Sequence, residues 1–154
     1  MGKYEERAVE LFHEGFNCSQ AVFAAFAEPM NLDFDTCLRI SSPIGGGVAR
    51  LREVCGAVTA ALMVYGYFHG NTDGPDQDAK ARVYEEARVL VNEFKDEWHT
   101  IICRELLGVT ENPDSTVKTA PRTAEYYQTR PCEKCIACAA RIAEKYITDA
   151  AVIK

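Results

Sequence analysis

The sequence predicts an all-α fold: a single-domain helical bundle of about five or six helices, spanning residues 1–154, with one buried central helix. Three observations carry that prediction. Several segments repeat apolar residues at three- and four-residue spacing, no segment alternates convincingly enough to form a strand, and residues 51–68 are apolar on nearly every side. With 154 residues, 47% of them hydrophobic and 26% charged, the chain can bury a core as one domain without staples.

Taken in order, Tyr4 to Glu14 places Ala8, Leu11 and Phe12 on one helical face, and Gly15 stops the helix. Asn17 caps a second helix, CSQAVFAAFAE, closed by Pro29. Cys18 thereby falls in a first helical turn, where free N–H groups and the dipole favour a thiolate. Asp33 or Asp35 caps a short helix carrying Cys37, and SSPIGGG breaks it. Leu51 to Phe68 is the expected central helix, with Gly56/Ala60 and Ala57/Ala61 as small pairs that let neighbours approach closely. After the loop NTDGPDQD, a long amphipathic helix from Ala79 spaces Val83, Ala87, Leu90, Val91, Phe94 and Trp98 on one face. Lys80, Arg82, Glu85, Glu86 and Arg88 form its solvated face, and the pattern runs on through Ile101, Ile102 and Leu106 to Gly108 unless a kink divides it. Residues 110–130 read as a long loop, of the kind that serves as a lid, a binding loop or a plain connection. The segment PCEKCIACAARIAEKYITDA closes the chain as a helix, with Pro131 at its first position.

A net charge of −6, with no basic patch interleaved with aromatics, argues against nucleic-acid binding. The most apolar stretch falls short of the ~20 residues that cross a bilayer, so no membrane insertion is expected. The N-terminal residues lack the apolar run of a secretory signal, which predicts a cytoplasmic protein. Seven cysteines, at positions 18, 37, 55, 103, 132, 135 and 138, are many for a reducing compartment. Such enrichment points to metal ligation or redox chemistry, against the alternative that each thiol is a small buried hydrophobe.

Cys132, Cys135 and Cys138 form C-x2-C-x2-C, and on a helix such neighbours stand about 5–6 Å apart between Cβ atoms. They could share a metal or, after a modest adjustment, form a disulfide. A bacterial ferredoxin run would place its fourth cysteine where this chain has Ile142. Thioredoxin-like proteins also put C-x-x-C at a helix start, although the surrounding α/β pattern is absent here. His13, His69 and His99 show no metal-pair spacing, but His99 stands one helical turn before Cys103 and could orient or acidify it. Residues 45–47, GGG, follow no strand and precede no Lys-Ser/Thr, so they read as a turn and not a phosphate loop. Arg50 and Glu53 are spaced to pair at the surface; buried near Cys55, Arg50 would instead stabilise a thiolate or an anionic cluster.

Four segments, NCSQAV, GGGVARLREVCGAVTAALMVYG, ICRELLG and RPCEKCIACAARIAE, resemble in order and spacing the redox-active protein family named for the cysteine pattern C_GCAxxG_C_C. The resemblance implies that Cys18, Cys55, Cys103 and Cys132 are the family cysteines, with Gly56 beside them, and that Cys37, Cys135 and Cys138 are additions. Two departures stand out: Ala60 occupies a motif glycine, and Arg52 stands where a glycine is common. Three functions are then expected in turn. An iron-sulfur cluster ligated by Cys18, Cys55, Cys103 and Cys132, with Gly56 against it, would serve electron transfer or redox sensing. A thiol-disulfide oxidoreductase would use Cys132 and Cys135 as its catalytic pair, with Cys132 or Cys18 as the acidified thiol. Zinc on the four cysteines, or no cofactor at all, would make the domain structural. A redox partner protein, and pairing with a second copy of the chain, are the expected associations.

Overall fold

The structure, a computed structural model, describes residues 1–108 and 116–148. Residues 110–115 of the expected loop and 149–150 of the expected terminal helix lie outside the described residues. Every element of the described chain is a helix, and its extended pairing is an isolated antiparallel bridge between Val54 and Ile102.

Helix α1 (Lys3–His13) buries Ala8, Leu11 and Phe12 and ends before Gly15. Helix α2 (Cys18–Ala25) starts where Asn17 accepts a hydrogen bond from the Gln20 amide at 2.9 Å, while the Gln20 side chain accepts from the Asn17 amide. Helix α3 (Phe34–Ser41) is capped by Asp33, and a 3-10 turn (Ser42–Ile44) follows. The central helix α4 (Gly56–His69) packs against α2, α8 (Cys132–Thr148) and α5 (Gln77–Trp98), with Ala57, Ala60 and Val64 wholly buried. Its small residues are what let three helices close around it. Helix α1 lies across α2 and α8, and two short helices, α6 (Cys103–Leu106) and α7 (Ala124–Thr129), complete the described chain.

Four expectations are corrected. The central helix starts at Gly56 and not Leu51, which is 57% exposed, because residues 46–50 and Arg52 all take positive φ and cannot join a right-handed helix. The long amphipathic helix stops at Trp98, where His99 turns left-handed, so Ile101 to Leu106 do not continue it. The 110–130 segment is not all loop, since Thr123 caps α7 through the Tyr126 amide. The charged face of α5 is not wholly solvated: Glu86 accepts a hydrogen bond from the buried Tyr65 hydroxyl, and Arg82 donates to the His69 carbonyl at 3.1 Å. Those two residues sew α5 to α4.

Candidate cysteine redox site

Cys18, Cys103 and Cys132 are the first residues of α2, α6 and α8, and Cys55 is the N-cap of α4. All four line one cavity of about 390 Å³, and Cys135, one turn into α8, lines it too. The positive ends of three full helices, α2, α4 and α8, therefore point at the sulfurs. The single turn of α6 is too short to add an appreciable dipole.

What brings Cys55 and Cys103 to this cavity is the segment between Gly45 and Cys55. Gly46, Gly47, Val48, Ala49 and Arg50 follow one another at φ between 50° and 75°, a single left-handed turn. For a residue with a Cβ this conformation costs about 1–2 kcal/mol, so the surroundings must hold it. Backbone bonds from Ala49 to Pro43 (2.8 Å), Arg50 to Gly45 (3.1 Å), Arg52 to Gly46 (3.0 Å) and Glu53 to Gly47 (2.9 Å) do so. The chain then runs extended beside the start of α6: the Cys55 amide donates to the Ile101 carbonyl (2.7 Å) and the Cys103 amide to the Glu53 carbonyl (2.6 Å). A Cβ on Gly47 would stand 2.7 Å from the Cys103 Cβ, so only glycine allows the turn to seat against that cysteine.

Around Cys18, backbone approaches the sulfur from two sides. A Cβ on Gly56 would lie 2.7 Å from the Cys18 Sγ. Burial raises the Cys18 thiol pKa, while the amides of Gly46, Ser19 and Gly56 pull it partly back. Burial also lifts Cys55 well above its ordinary value, against the opposing amides of Val58 and Ala57 at the start of α4. Cys132 is pushed up to about 12, first by burial and then by the neighbouring sulfurs of Cys18 and Cys103. The expectation of an acidified thiol at Cys18 or Cys132 is thus corrected, because removal from water outweighs the helix-terminus effect.

Four arginines also line the cavity. Arg50, Arg52, Arg122 and Arg130 all contribute, and among the described lining residues there is no carboxylate. Arg52 reaches Cys103, with Nη1 3.7 Å from Sγ. Arg122 donates to the carbonyls of Phe12 and Phe16 at 3.0 Å each and stacks on the Phe12 ring, with 4.5 Å from guanidinium carbon to ring centroid. Together with Arg50, whose Nε donates to the Thr116 carbonyl at 2.6 Å, it fastens the 116–131 segment as a wall of the cavity. The sequence singles out neither Arg122 nor Arg130; their one signal is the length of the 110–130 segment, which also fits a plain connection.

Other candidates fall away from the site. Glu53 pairs with Arg104 at 3.2 Å in place of the expected Arg50. His99 caps α5 and Cys103 opens the next helix, so the one-turn relation between them does not exist. His13 stacks on Tyr127 and pairs with Glu133. Cys37 is buried in α3, and Cys138 donates to Glu97 at 3.0 Å away from the cavity. Ala60 is buried and does not line the cavity, which makes its position one of helix packing. Among the described residues no three His, Cys, Asp or Glu side chains are gathered tightly enough to hold one metal ion.

An all-α bundle that opens five thiols on one cavity is a cysteine-centred protein, and its chemistry is that of sulfur. The family described as "Putative redox-active protein (C_GCAxxG_C_C)" matches residues 16–146, and the chain belongs to that family. Its role is therefore a cysteine-based redox one. No curated protein and no solved structure matches the chain. No helix among the described residues is long and apolar enough to cross a membrane.

Proposed function

We propose that Cys18, Cys55, Cys103 and Cys132 hold an iron-sulfur cluster and that the protein transfers electrons or senses redox state through it. The observation that carries this reading is that four cysteines, each at the start of a different helix, open on one cavity. Four thiolates are the donor set such clusters take. The group would supply one-electron chemistry, and the residues present suit it. Helix N-termini and arginines balance negative charge, backbone amides point at Cys18 and Cys55, and Gly56 leaves the space in which Cys18 sits.

A cluster spreads its ligands over several atoms, whereas one zinc ion draws every sulfur to within about 2.3 Å of a single point. The oxidoreductase reading places nucleophilic chemistry on Cys132 and Cys135. It is the weaker fit, since a thiol held protonated to about 12 attacks disulfides poorly at neutral pH.

Ligand substitution tests the assignment. After anaerobic reconstitution with iron and sulfide, serine at position 18, 55, 103 or 132 is expected to lower bound iron severely. Serine at position 37, 135 or 138 is expected to leave it near the wild-type level. Full iron content in the Cys55→Ser protein would remove Cys55 from the ligand set and sink the four-helix arrangement. A reversible Cys132–Cys135 disulfide in protein that takes up no iron would select the oxidoreductase.

A further inference from the structure

Arg52 is costly to this protein in two ways. Its φ of 61° lies in the left-handed region that suits glycine. Its side chain is also almost wholly enclosed, at 4% exposure, and burying a guanidinium requires compensation. The backbone is pinned there by its own amide, which donates to Gly46, and by its carbonyl, which accepts from the Arg104 guanidinium at 3.1 Å. The result is a fixed cation on the cavity wall, with Nη1 3.7 Å from the Cys103 sulfur. Glycine would meet the backbone requirement at lower cost but would bring no charge.

We propose that Arg52 sets the electrostatic potential at the Cys103 sulfur, and that this fixed charge raises the reduction potential of the redox group which that sulfur joins. For the potential, the inference rests on the cluster reading; for the local field, it does not. One-electron reduction of a cluster held there would make the site more negative by one charge. A cation held nearby favours the reduced state, and its burial limits screening by salt.

Two measurements test this on the full chain, using Arg52→Gly and Arg52→Asn, which both tolerate the left-handed backbone, and Arg52→Lys, which keeps the charge. In metal-free protein, Cys103 is alkylated with iodoacetate and with iodoacetamide, and the ratio of the two rates is compared. Both reagents need the same thiolate, so the ratio reads the local field on the anionic reagent and cancels the thiol's own ionisation. The ratio is expected to fall about fivefold or more in Arg52→Gly and Arg52→Asn, the effect of one charge at about 4 Å even with full aqueous screening. Arg52→Lys should retain most of it. In cluster-loaded protein, a redox titration should place the Arg52→Gly midpoint below wild type. An unchanged reagent ratio in both neutral variants overturns the inference. If the wild-type protein binds no iron, the cluster reading fails by itself and the reagent ratio still decides the role of Arg52.

Discussion

At the scale of single residues, the site depends on where a side chain is absent as much as on where one is present. Gly56 faces the Cys18 sulfur so closely that an added Cβ would lie 2.7 Å from it. Gly56→Ala should therefore lose about 1–3 kcal/mol through overpacking, despite alanine's better helix propensity, and should lose iron as Cys18 is displaced. Ala60→Gly, one turn along the same helix, should cost about 1 kcal/mol and leave iron content unchanged. Urea titration and iron analysis of both variants check the pair; equal iron in Gly56→Ala and wild type would contradict the geometry. The two positions also show what a sequence can and cannot reveal. Asn17 announces the start of α2 by residue type alone, and Cys18 follows from it. The arginine at position 52 does not itself reveal its left-handed backbone, which the bonds that hold residues 46–53 select, although a glycine is common there in the family.

At the scale of elements, periodicity located the helices but not their ends. The apolar run of residues 51–68 looks like one helix, yet its first five residues belong to the turn and the extended strip that bring Cys55 beside Cys103. Similarly, the apolar period of α5 runs on past His99 in the sequence, whereas His99 turns left-handed and the Ile101 carbonyl accepts from the Cys55 amide. Both departures from the apolar period fall at the site because its local structure is set by long-range bonds, which override periodicity. The wall formed by residues 116–131 depends in the same way on Arg122, whose guanidinium joins two carbonyls at the end of α1. Arg122→Ala should cost about 2 kcal/mol from lost charged hydrogen bonds and ring stacking. It should also speed amide hydrogen exchange in residues 124–131; unchanged exchange there would show that the segment is held by something else.

For the whole molecule, the buried thiols tie stability to pH. Cys138 is pushed up to about 12 by burial and by the Glu97 carboxylate to which it donates. In the unfolded chain a thiol ionises near 8.5. As pH rises, the unfolded state gives up this proton first, so the stability is complete below about 8.5 and is lost progressively toward 12. Metal-free protein should thus weaken between pH 8.5 and 10.5, and Cys138→Ala should weaken less steeply over this window, as read from urea midpoints. Identical slopes would contradict a thiol that is protonated in the fold.

The all-α architecture and the gathering of the family cysteines were legible from helical spacing and the ordered motif. Cys135 enters the sequence reading only as the partner of Cys132 in the oxidoreductase alternative, because a helix period cannot tell which face of α8 meets the other three family sulfurs. Under our proposal Cys18, Cys55, Cys103 and Cys132 serve one cluster. The most direct test is the visible spectrum of anaerobically purified protein, taken with iron and acid-labile sulfide analysis of the same sample. Broad absorption that bleaches on reduction, with iron and sulfide in equal amounts, is the expected result. Colourless protein that contains neither, and acquires neither on anaerobic reconstitution, would contradict it.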